Sequence, residues 1–96
     1  MKIEIERQVA GFIRSLAPEP RRAVREALRA LECESGDVRA LEGELSGFYR
    51  LRIGRYRIIF HYIQRGNARV IRCVYANHRQ LIYEVFAHHF HRLLHR

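Results

Sequence analysis

The residues best suited to chemistry sit in one segment, FYRLRIGRYRIIFH, from Phe48 to His61. It sets Arg50, Arg52, Arg55 and Arg57 among residues that otherwise read as buried strand. A guanidinium group is a planar fork that grips a phosphate through two parallel hydrogen bonds. Several of them on one strand surface, with Phe48 between them and Arg72 and His61 nearby, is a pattern suited to single-stranded nucleic acid. The chemistry implied is phosphate binding, with base stacking on the aromatic ring.

A flat surface of this kind needs a hairpin of defined register. Gly54-Arg55 is a two-residue loop with glycine first, as a type II′ turn prefers. Such a turn sets Ile53 opposite Tyr56, Arg52 opposite Arg57, Leu51 opposite Ile58 and Tyr49 opposite Phe60. Side chains alternate along a strand, so Tyr49, Leu51, Ile53, Tyr56, Ile58 and Phe60 form a core face. Phe48, Arg50, Arg52, Arg57, Ile59 and His61 form the other. With a second tight turn at Gly66-Asn67, the segment ARVIRCVYA puts Ile71, Cys73 and Tyr75 on the core face and Arg72 and Val74 on the basic one. A slip of one residue would bury several arginines. Arg52 facing Arg57 is an unfavourable like-charge pair, and no acid close in sequence relieves it.

Earlier in the chain, MKIEI alternates as a short strand, and Val9, Phe12, Ile13 and Leu16 fall at helical spacing. APEP interrupts, and a second helix carries Val24, Ala27, Leu28 and Leu31 inward and Arg21, Arg22, Arg25 and Arg29 outward. Gly36 is the expected terminator of that helix. Residues 38–47, VRALEGELSG, read as a connector anchored by Leu41 and Leu45. The last segment, RQLIYEVFAHHFHRLLH, returns to helical spacing through Leu81, Ile82, Val85, Phe86, Phe90, Leu93 and Leu94. The expected order is β-α-α-β-β-β-α, an α+β fold with an antiparallel sheet packed on an N-terminal helical hairpin, in a single domain spanning residues 1–96.

Charge supports the same reading. Residues 1–47 carry a net charge of −1, whereas residues 48–96 carry +9, with Glu84 the one acid among them. Of the 18 basic residues, all but Lys2 are arginine. A genome rich in GC can raise the number of arginines, but it does not remove the acids after residue 47. A polyanionic partner accounts for both. No apolar run approaches the roughly 18–20 residues of a membrane span, and the charged N-terminal stretch is unlike a signal peptide. A cytoplasmic protein without a membrane partner is expected. Cys33 and Cys73 are expected as free thiols, with Cys73 in the core.

The stretch LEGELSGFYRLRIGRYRIIFHY, followed by VYANHRQLIYE, resembles the RelE/ParE superfamily of toxins from toxin–antitoxin pairs. The shared features are the leucine–glycine connector, the tyrosine–arginine strand, Gly-x-Tyr-Arg at the hairpin, and His-Arg with a tyrosine four residues on. The preceding helical hairpin ending in REALRAL also fits. The resemblance implies a cognate acidic antitoxin covering the basic surface, and one of two activities. RelE-like members cleave messenger RNA on the ribosome without metal or cofactor, by attack of the 2′-hydroxyl on the neighbouring phosphate. ParE-like members instead poison DNA gyrase.

By position, the resemblance matches Arg50 and Arg52 to the first basic pair of the nucleases, Arg57 to the hairpin arginine, Arg79 to the cation after the last strand, and Tyr83 to the tyrosine beyond it. Arg57 and Arg79 would neutralise the phosphorane, and Tyr83 would orient or deprotonate the 2′-hydroxyl or stack on a base. Some nucleases carry lysines in the first pair. Arginine, with a pKa above about 12, cannot act as a general base. His61 and His78 are the candidates that can, having an unperturbed pKa of about 6.5. The leading expectation is therefore a messenger-RNA endoribonuclease, with a gyrase poison or a non-catalytic nucleic-acid-binding module as alternatives. His88, His91 and His95 share a helical face at a spacing that can hold zinc. No further ligand is placed to complete such a site, and no metal is expected.

Overall fold

The computed structural model describes residues 1–80, 82 and 86–88. Strand β1 (Ile3–Ile5) leads into helices α1 (Arg7–Ser15) and α2 (Pro18–Glu32). Strand β2 (Asp37–Ala40) follows, then a 3-10 turn at Gly43–Leu45 and strands β3 (Tyr49–Ile53), β4 (Tyr56–Arg65) and β5 (Ala68–His78). Ile82 and residues 86–88 are helical. The five strands form one sheet in the order β1-β5-β4-β3-β2, antiparallel except for the β1–β5 pair.

The α+β class, the helical hairpin and the antiparallel sheet agree with expectation, with one strand more than the sequence suggested. DVRA is β2, an edge strand paired only with β3, and all four of its residues are exposed. It buries neither face, so it lacks the alternation by which a strand is recognised. The end of α2 also differs. Glu34, at φ 56°, takes the left-handed position, its N–H donating to the Leu31 carbonyl and that of Ser35 to Ala30. This is a Schellman cap with glutamate in place of glycine. Gly36 has another role, because a Cβ there would stand 3.0 Å from Cδ1 of Leu51.

The β3–β4 register is the expected one at every pair, including Arg52 opposite Arg57. Gly54 and Gly66 take positive φ while the residues after them do not, as the type II′ turn requires. One face of the sheet packs on α1 and α2 through Val9, Ile13, Val24, Leu28, Leu31, Leu51, Ile58, Phe60, Ile71 and Cys73. Burial pushes the Cys73 thiol up to about 12, so it stays protonated and inert.

Beyond Cys73 the expected parity fails. Phe60 pairs with Cys73, but Ile59 pairs with Tyr75, leaving Val74 as a bulge. Tyr75 therefore joins the face opposite the helices, and Ala76 and His78 turn towards them. The bulge lies where β1 ends. Past Glu6, whose N–H donates to the Cys73 carbonyl, the side chain of Gln8 continues the ladder. Its Nε2 donates to the Ala76 carbonyl at 2.7 Å, and its Oε1 accepts from the Ala76 N–H at 2.8 Å.

Candidate phosphate-binding surface

The face opposite the helices is not a continuous basic sheet. Its middle is a second, smaller core of Ile59, Tyr75, Ile82 and Phe86, flanked by Leu41, Leu45, Phe48 and Val74. The connector leucines anchor here. Arg50 belongs to this middle row, between Arg39 and Ile59. Only 7% exposed, it donates from Nη1 to the Asp37 carbonyl at 3.0 Å and to Asp37 Oδ1 at 3.2 Å. A buried guanidinium held this way locks β2 to β3, and its burial leaves little of it open to a phosphate.

No acid close in sequence relieves the Arg52–Arg57 contact, but a distant one, Asp37, approaches it. Its Oδ2 lies 3.9 Å from Nη1 of Arg52, whose side chain stays half exposed. Fifteen residues separate the two in sequence, so only strand pairing brings them together.

Towards the β4–β5 turn, the arginines are covered by acid. Arg72 donates to Glu4 at 2.7 Å and to Glu6 at 3.0 Å, and Arg65 grips Glu4 with both Nε and Nη2. The Arg65 hydrogen bond, reinforced by Arg72, holds the Glu4 carboxyl down to about 2. His61 lies opposite Arg72 and stacks on Phe48, with ring centroids 4.9 Å apart. Burial lowers its pKa, Glu6 partly opposes that, and Arg72 adds to it. The neutral, proton-accepting form is thus favoured. Yet His61 is four residues along β4 from Arg57, roughly 13 Å away, so the two do not meet at one phosphate.

The opposite end, at the β3–β4 turn, has a different character. Arg52, Arg57 and Asn77 form one cross-strand row. The Arg57 guanidinium donates to the carbonyls of Gly54 at 2.7 Å and Tyr56 at 2.9 Å, which turns it towards the hairpin tip. The Arg79 N–H donates to the Arg55 carbonyl at 2.8 Å, tying the end of β5 to that tip. A cleft of about 550 Å³ opens here, lined by Arg55, His78, Arg79 and Gln80. No described carboxylate lies within ion-pair distance of Arg55 or Arg79. His78 borders the cleft from the helix side, its ring against Tyr56 at 5.3 Å and Phe12 at 5.9 Å.

The structure therefore brings Arg79 and His78 to one cleft, with Arg57 directed to the adjoining tip. It sets His61 and Arg72 apart, towards the far end of the face, with Phe48 between His61 and the apolar middle. Tyr83, His91 and His95 lie outside the described residues; His88 is exposed. Among the described residues no cluster of histidine, cysteine or acid could hold a metal ion, and no helix is long and apolar enough to cross a membrane. Sequence reasoning passed over Asn77, whose facing depends on the bulge. Arg55 lies in the legible Gly54-Arg55 turn, which places it on neither face of the hairpin.

No protein-family model and no curated protein matches the chain. Among solved structures, it is similar to the YoeB/ParE toxin from Agrobacterium tumefaciens, at 15% identity and a TM-score of 0.63, over 82% of this chain and 99% of that one. It is similar to the archaeal RelE–RelB complex from Pyrococcus horikoshii, at 31% identity and a TM-score of 0.61, over 81% of this chain and 93% of that one. A third is the RelB–RelE antitoxin–toxin complex from Methanococcus jannaschii, at 19% identity and a TM-score of 0.60, over 86% and 98% of the two chains. The fold, the hairpin register and 31% identity across most of the Pyrococcus chain together establish that the chain belongs to the RelE/ParE superfamily of toxins.

Proposed function

We propose that this protein is a toxin that cleaves messenger RNA without a metal, and that an acidic antitoxin restrains it. The observation that carries the reading is the cleft at the β3–β4 turn, where Arg55 and Arg79 stand beside a histidine with no described carboxylate as partner. Elsewhere on the same face Arg50, Arg65 and Arg72 are paired with acids. Arginines left without a carboxylate in a concave site suit an anionic ligand supplied from outside. The Pyrococcus and Methanococcus structures are toxin–antitoxin complexes, which supports the antitoxin as partner.

In the proposed reaction an RNA phosphate enters the cleft, and His78 accepts the proton of the 2′-hydroxyl. The 2′-oxygen bonds to phosphorus as the bond from phosphorus to the 5′-oxygen breaks. That oxygen leaves with a proton taken from water, giving a cyclic phosphate and a 5′-hydroxyl end. Arg79 and Arg57 neutralise the charge that grows on the phosphorane, a kind of assistance worth about 2.7–4 kcal/mol per donor where it has been removed. Arg52 guides the strand along the row it shares with Arg57. Tyr83, matched through the family motif, orients the 2′-hydroxyl.

Incubation with translating ribosomes, followed by mapping of RNA ends, tests the reading. New 5′-hydroxyl ends in messenger RNA are expected. Intact messenger RNA at toxic concentrations overturns it, and DNA breaks lost in gyrase-resistant cells would establish gyrase poisoning in its place.

A further inference from the structure

Arg55 lines a second groove as well as the first cleft. This groove, of about 440 Å³, lies on the other side of the β3–β4 tip. Its walls are Pro20 and Ala23 of α2 and Ile53, Gly54 and Tyr56 of the hairpin, and among the described residues lining it Arg55 alone is charged. The two hollows are also linked through ring contact, since Tyr56, which lines the groove, packs against His78, which lines the cleft. The Arg79 N–H bond to the Arg55 carbonyl fixes the two sides of the tip relative to one another. Glu19 and Glu26 are the nearest acids along α2, and neither lines the groove.

We propose that the groove is a nucleobase subsite, and that bound RNA crosses the β3–β4 tip with the Arg55 guanidinium on the phosphate between the two hollows. The inference rests on the RNA reading above and extends the site beyond the scissile phosphate. An apolar groove with a tyrosine in its wall receives the face of any base, which gives affinity with little sequence preference. The cation at its mouth supplies the backbone contact. Continuity with the first cleft through a shared residue favours a nucleic acid strand over a separate ligand.

The test uses 2′-O-methyl RNA, whose capped nucleophile cannot be cleaved, as a dinucleotide and a hexamer, with binding read by fluorescence anisotropy at fixed low salt. Wild-type protein is expected to bind the hexamer more tightly than the dinucleotide. Ala23→Trp fills the groove from an exposed helix position, and Arg55→Ala removes the bridging cation. Each is expected to weaken hexamer binding about tenfold, and Ala23→Trp is expected to leave the dinucleotide unaffected. Thermal melting verifies that both variants fold, and Ala23→Glu provides a second block of the groove. Hexamer binding unchanged in all three variants overturns the subsite while the RNA reading stands. Absence of wild-type binding to either oligonucleotide overturns the RNA reading itself. If Ala23→Trp spares the hexamer but weakens binding of an acidic amphipathic peptide, the groove belongs to a protein partner and the inference is overturned.

Discussion

The two ends of one sheet face use arginine in opposite ways. At the β4–β5 end, Arg65 and Arg72 meet Glu4 and Glu6 of the opening strand and the residue after it, and their charge is answered within the chain. At the β3–β4 end, Arg55 and Arg79 meet no described carboxylate. Between them, Ile59, Tyr75, Ile82 and Phe86 form an apolar patch that isolates the ends from each other. A net charge of +8 therefore overstates the breadth of the proposed phosphate-binding surface. One end of the face is fastened by acids, and at the other no described carboxylate meets Arg55 or Arg79.

Removing a cation from each end breaks the comparison most sharply. Arg79→Ala is expected to slow RNA cleavage roughly 100-fold, whereas Arg72→Ala, whose charge already has partners, should change it less than about threefold. Single-turnover cleavage of one RNA by both variants measures this, and equal losses would mean the two ends act as one surface.

The apolar middle can be broken through Asp37. Asp37→Ala leaves Arg50 buried with only a carbonyl acceptor, and a loss of about 1–2 kcal/mol is expected in urea unfolding. The lower part of the range for such pairs applies because Asp37 is itself half exposed.

Uncovering the fastened end sharpens the contrast. Glu4→Gln with Glu6→Gln should release Arg72 and Arg65 for phosphate, tightening RNA binding at low salt. Each phosphate newly neutralised adds about 0.7 to the salt slope for a single strand, which titrations at several ionic strengths would read. An unchanged slope would show that these arginines point away from any RNA path.

The smallest effect is on acid stability. Folding lowers the Glu4 carboxyl from 4.5 to about 2. Its contribution is therefore complete above pH 4.5 and fades as pH falls towards 2. Melting temperatures of wild type and Glu4→Gln should converge across that window and differ above it.

The turn chemistry made the hairpin legible in advance. Gly54-Arg55 and Gly66-Asn67 fixed two loops, and strict alternation through YRLRI left one register that kept arginine off the face packed on the helices. The catalytic assignments of Arg57 and Arg79 came from a motif, and His78 was read beside Arg79. Strand β2 escaped because an edge strand exposed on both sides has no alternation to display. The bulge escaped because VIRCVYA is apolar at almost every position after Arg72, so either parity could be buried and no residue type marks the extra one.

By itself the sequence determined the class of fold, the hairpin register and an arginine-rich surface, because each depends on neighbours along the chain or on a period of two. Which arginines remain available was decided only by the tertiary structure. The acids that neutralise Arg72 are 66 and 68 residues away, and Asp37 reaches Arg50 and Arg52 from a strand that the pattern conceals. Charge pairing at about 3 Å depends on which strands become neighbours, and composition carries no record of that.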